Sequence, residues 1–160
     1  MIVVPQLNHF DLQRIDRADF SSGEVGEVSF HVDVVPENVA ERFVVGLLDE
    51  TENRGIAVAV YPATGEVCDL TSGGGVIDYL CMAPLVPDEP VPCELKMYRF
   101  GCNFVCAVRI HGETFLYPAF TAETAPVISA FVGRERESLS AGLRYGGVRL
   151  DLSGTRPIAA

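Results

Sequence analysis

The chain has 160 residues, 48% of them hydrophobic and 21% charged, with a formal net charge of -10. That length suits one domain that buries its core without disulfide staples, and the apolar share excludes intrinsic disorder. The acidic excess argues against nucleic acid and against an anionic membrane surface as partners, because phosphates are repelled.

The N-terminal Met1-Ile-Val-Val-Pro-Gln-Leu-Asn8 shows neither a basic leader nor a long apolar stretch, so no secretory signal is read there. No apolar run approaches the roughly 20 residues of a membrane span. Phe30-His-Val-Asp-Val-Val35 alternates apolar and polar residues and predicts a strand, ended by Pro36-Glu37-Asn38. Arg42–Leu48 and Ile56–Tyr61 predict two more, separated by the polar stretch Asp49–Gly55, and Glu66–Leu70 a short one after the Pro62–Gly65 turn. Thr71–Gly75 reads as a loop and Val76–Met82 as a further strand. The four prolines between Pro84 and Pro92 make an irregular connection. Thr114–Tyr117, Val127–Val132 and Leu143–Leu150 complete the expected strands.

Between them lies the clearest pattern, Glu94–Phe100, Gly101-Cys102 and Asn103–Ile110. With Gly101-Cys102 as a two-residue turn, Met97 falls opposite Cys106 and Leu95 opposite Val108. Side chains alternate along strands, so Leu95, Met97, Phe104, Cys106, Val108 and Ile110 share an apolar face. Lys96, Tyr98, Phe100, Asn103, Val105, Ala107 and Arg109 share a mixed one. Strands at this spacing, with a turn between each, predict an all-β, antiparallel two-sheet jelly-roll sandwich, and residues 1–160 read as a single domain of that kind. An α+β fold is the alternative. Val39, Phe43 and Leu47 also stand at helical spacing, and segments 37–48 and 123–136 then become short helices.

Catalytic and metal-binding patterns are not found. His9, His31 and His111 form no H-x-H or H-E-x-x-H spacing, and no cysteine pair forms C-x-x-C. Asp49-Glu50-Thr51-Glu52-Asn53 lacks the spaced oxygens of a calcium loop and reads as a solvated hairpin tip. Gly73-Gly74-Gly75 has no following Gly-Lys-Ser/Thr, and Ser72 is not in G-x-S-x-G. No catalytic residue, metal ligand or cofactor is therefore assigned. Cys68, Cys81, Cys93, Cys102 and Cys106 are odd in number and scattered, which predicts free thiols and a cytoplasmic location, with Cys106 a small core side chain.

Val105–Phe120, with Val108-Arg-Ile-His-Gly112 followed by Phe115-Leu-Tyr-Pro-Ala-Phe120, resembles the concanavalin A-like sandwiches of the laminin-G and SPRY type. Phe43-Val-Val-Gly-Leu-Leu-Asp49 is similar to a strand of the SPRY domains. The resemblance covers residues 28–150. The chain has no tryptophan, and it lacks the acidic calcium loop of legume lectins and the carboxylate cluster of related glucanases. What the resemblance implies is a jelly-roll sandwich that binds through loops or one sheet face.

The functional expectation is a non-catalytic module that recognises a protein, a peptide or a glycan. Lys96, Tyr98, Asn103 and Arg109 on the mixed face of the hairpin are its candidate ligand-binding residues. A self-associating structural subunit, a homo-oligomer joined by a sheet face or edge, is the second reading. An enzyme with an unrecognised site is the third, with His31, Asp33 and Glu66 the residues to inspect.

Overall fold

A computed structural model of the chain describes residues 7–20, 25–50, 54–70, 84–116, 120–121, 127–136, 143–153 and 156–157. Among these residues twelve strands run in chain order: β1 Phe10–Asp19, β2 Val25–Val35, β3 Phe43–Asp49, β4 Gly55–Tyr61, β5 Glu66–Asp69 and β6 Val91–Phe100 come first. β7 Asn103–Ile110, β8 Glu113–Leu116, β9 Phe120–Thr121, β10 Val127–Glu135, β11 Arg144–Ser153 and β12 Arg156–Pro157 follow. The one helical element among the described residues is a single 3-10 turn, Leu7–His9. Sheet A has the order β12-β1-β10-β3-β4-β5, and sheet B the order β11-β2-β6-β7-β8, with β9 also on β7. Every pair is antiparallel. The chain is an all-β two-sheet sandwich.

The two sheets close on one core, because alternation turns an apolar row from each strand inward. Sheet B contributes Val28, Phe30, Val32, Val34, Cys93, Leu95, Met97, Phe104, Cys106, Val108 and Ile110, all buried. Sheet A answers with Phe43, Val45, Leu47, Ile56, Val58, Val60, Ile128, Ala130 and Val132. The hairpin register is the expected one: Leu95 faces Val108 and Met97 faces Cys106. Gly101 has φ 62°, the positive value a II′ hairpin turn requires at its first central residue. Arg99 shares the inward parity of Leu95 and Met97, yet lies at the end of the strand. Its Nε donates to the Gly101 carbonyl at 2.8 Å, its Nη1 to the Phe20 carbonyl, and its guanidinium lies 6.0 Å from the Phe104 ring centre.

The helical alternative is not adopted over 37–48 or over 127–136, the described part of the second segment, since β3 and β10 are strands. β3 is buried along its whole length, with Phe43, Val45 and Leu47 in the main core. Val44 and Leu48 join a second cluster with Phe10, Ala57, Ala59, Leu70 and Phe131 on the opposite face of sheet A. A strand buried on both faces has no polar alternation, and that leaves its period ambiguous in sequence. Thr51–Asn53, the middle of the stretch expected to be a solvated tip, lie outside the described residues, and the two acidic residues before them are paired. Asp49 is only 1% exposed, and its Oδ2 accepts from Arg54 N at 3.3 Å and Arg54 Nε at 3.1 Å. Glu50 accepts from Arg17 Nε at 2.5 Å, Arg17 Nη2 at 2.7 Å and Ser129 Oγ at 2.8 Å, which ties β1 and β10 to the end of β3. The strand expected at Val76–Met82 lies outside the described residues.

Cys68, Cys93, Cys102 and Cys106 are free thiols; Cys81 lies outside the described residues. Cys93 and Cys106 are buried and Cys102 is exposed at the hairpin turn. Burial pushes the Cys106 thiol from its ordinary value near 9.0 up to about 12, and Cys93 higher still, where Asp33 adds to the effect of burial. Native protein titrated with a thiol reagent near pH 8 should therefore label Cys102 fast and leave Cys93 and Cys106 protected. Denatured protein should release five thiols, and one or three would mean that disulfides form. The same shifts fix a sign. Unfolded thiols ionise above about pH 9 while the buried ones stay neutral, so stability should fall as pH rises from about 9 towards about 12. A flat unfolding midpoint across that range would contradict the burial of both thiols.

Candidate functional site

The register of sheet B determines which polar side chains meet on its outer face. β2 offers Glu27, Ser29, His31 and Asp33, which alternate with its four core positions. β6 adds Glu94, Lys96 and Tyr98, and β7 adds Asn103, Val105, Ala107 and Arg109. Pairing aligns these as rows across the strands. Arg149, His31, Glu94 and Arg109 form one row, and Asp151, Ser29, Lys96 and Ala107 the next. Ser153, Glu27, Tyr98 and Val105 form a third.

Ala107 is small and stands among the long side chains of Glu94, Lys96 and Arg109. A depression of about 180 Å³ results, lined by Glu94, Lys96, Ala107, Val108 and Arg109. Lys96 Nζ lies 3.3 Å from Glu94 Oε1, and that bond, with the Tyr98 hydroxyl beside it, raises the Lys96 ammonium above its ordinary value. Arg149 Nε lies 2.9 Å from Asp151 Oδ2. Cations and carboxylates thus alternate over the face, and both donors and acceptors are presented to solvent.

A bulge sets the position of the β11 side chains. The β11–β2 register shifts between Gly146 and Arg149, and Gly147 adopts φ 60°. A Cβ on Gly147 would collide with Asp33 Oδ2, so the close approach of the Asp33 carboxylate needs glycine there. Asp33 Oδ1 is in turn 3.3 Å from His31 Nε2. His31 Nδ1 is buried with no hydrogen-bond partner among the described residues, so the imidazole presents its Nε2 side to the surface.

Of the four residues expected to bind, Lys96 and Arg109 line the depression and Tyr98 is in the row beside it. Asn103 lies six residues from Arg109 along β7, roughly 20 Å away, next to Phe100 at the hairpin turn. Sequence reasoning missed Glu94 as a wall of the site. It also missed Arg149, because that pairing joins segments far apart in the chain. His31 and Asp33 meet, but Glu66 does not join them. Glu66 is on β5, in the other sheet. Among the described residues no group of three His, Cys, Asp or Glu side chains is placed to hold a metal ion.

No family model and no curated protein matches the sequence. Solved structures do. A single mutant of congerin II aligns at 16% identity and TM-score 0.49, covering 88% of this chain and 100% of that one. Toad ovary galectin, solved with thio-digalactose, aligns at 12% and 0.46 over 84% and 96%. An alginate lyase from Corynebacterium sp. aligns at 10% and 0.48 over 86% of this chain and 62% of its own length. The strand topology shows the two-sheet antiparallel architecture that the sequence resemblance implies. At these identities and scores the likeness assigns neither ligand nor chemistry.

Proposed function

We propose that the chain is a non-catalytic carbohydrate-recognition module that binds an oligosaccharide across the outer face of sheet B. The observation that carries this reading is the depression bounded by Lys96, Arg109 and Glu94 over the small Ala107. A sugar hydroxyl both donates and accepts, and so suits a surface that sets guanidinium and ammonium donors beside a carboxylate acceptor. The half-buried Tyr98 ring adjoins these groups and offers a flat apolar area to the carbon face of a sugar ring. The depression is shallow, which suits an extended or terminal saccharide better than an enclosed small molecule.

Catalysis is the less favoured reading. Of the residues an enzyme reading points to, His31 and Asp33 meet at 3.3 Å, but Glu66 is on β5 in the other sheet.

The test is a panel of neutral and uronate-containing oligosaccharides, followed by the double substitution Tyr98→Ala with Arg109→Ala in folded protein. The affinity of a glycan found this way should fall about five- to thirtyfold, as expected on losing two anchors worth about 1–2 kcal/mol together. Affinity unchanged within about twofold would remove this face as the binding surface. Bond cleavage of any panel member would replace the binding role with an enzymatic one.

A further inference from the structure

β11 is a ten-residue strand that pairs with β2 on one side, and among the described residues no strand pairs with its other side. The other strands at sheet ends are shorter: β5 and β8 have four residues each and β12 has two. A long open edge exposes a row of backbone donors and acceptors that seeks a partner strand. Val148 on this edge is 42% exposed, and Leu150 and Leu152 are half-buried against the main core.

We propose that this edge pairs antiparallel with the same edge of a second copy, on a two-fold axis that places Leu150 opposite its counterpart. The axis joins the two B sheets into one. Opposite residues in a continuous sheet face the same side, so their numbers must add to an even sum. With a sum of 300, Arg149 faces the copy's Asp151, and Val148 faces its Leu152. The neighbouring even sums fail. A sum of 298 sets Arg149 against Arg149, and 302 sets Asp151 against Asp151, both like-charge facings. Within one chain Arg149 Nε already lies 2.9 Å from Asp151 Oδ2. The two-fold therefore completes a square of alternating charges, in which each cation is flanked by its own carboxylate and by its copy's. Val148, exposed in the single chain, gains an apolar neighbour.

Sedimentation velocity on the full chain, from about 1 µM to about 500 µM, should show reversible dimers. Asp151→Arg, or Arg149→Asp as an independent variant, sets two like-charge facings into each dimer. Each should weaken it about tenfold or more. The exchange Arg149→Asp with Asp151→Arg keeps the square with its signs reversed and should return the dissociation constant to within about threefold of the original. A monomer at every concentration would overturn the proposal. So would a dimer indifferent to the single reversals, or an exchange variant as weak as they are.

Discussion

Phe104→Ala should lower the unfolding free energy by about 3–5 kcal/mol, read from chemical denaturation with an unchanged denaturant slope. Phe104 is fully buried, and its ring meets that of Phe20 edge-on with centres 5.4 Å apart. The Arg99 guanidinium covers the same ring from the strand end. Truncation removes the apolar ring, leaves a cavity between β7 and the segment after β1, and strips Arg99 of the surface it packs on. A loss below about 1 kcal/mol would mean that the hairpin is slipped by one residue, because such a slip turns Phe104 and its whole row to solvent.

Gly46→Ala should cost about 1–3 kcal/mol although it adds a single methyl group. Gly46 is in the middle of β3, between β10 and β4. A Cβ there would lie 2.8 Å from both Phe131 Cε1 and the Ile56 carbonyl oxygen, and closer still to Phe131 Cζ. The Phe131 ring lies across the outer face of β3 over the missing side chain, and the backbone oxygen cannot move aside. Phe131→Leu should recover part of the loss in the double variant, which a clash with the ring requires and a general weakening of the strand does not. Equal stability of Gly46→Ala and the parent would show that the second apolar cluster is not packed on β3 as described.

The β6–β7 hairpin was fully legible because its pairing is local. Two strands joined by Gly101-Cys102 have one register, and that register sorts every side chain onto a face. β1 was not legible. Half of the ten residues of Phe10–Asp19 are charged and half are exposed, and a register shift between Arg14 and Asp16 breaks its alternation. β2 is legible from Phe30 onward, while Val25–Ser29, interrupted by glycine and glutamate, carries the weaker pattern. The candidate site divides along the same line. Lys96, Tyr98 and Arg109 follow from the hairpin alone. The rows that add His31 and Arg149 need the pairing of β2 with β6 and with β11, contacts between residues far apart in sequence. The bulge at Gly146–Gly147 then decides which β11 side chain faces His31. Two glycines in a sequence do not announce that offset.

A backbone amide NMR titration with the tightest glycan from the panel tests most directly whether sheet B binds an oligosaccharide through its outer face. The largest shifts should fall on Ser29, His31, Glu94, Lys96, Tyr98, Ala107 and Arg109, with the amides of β3 and β4 unmoved. Shifts concentrated on sheet A, or at the hairpin turn around Asn103 and away from the depression, would contradict it.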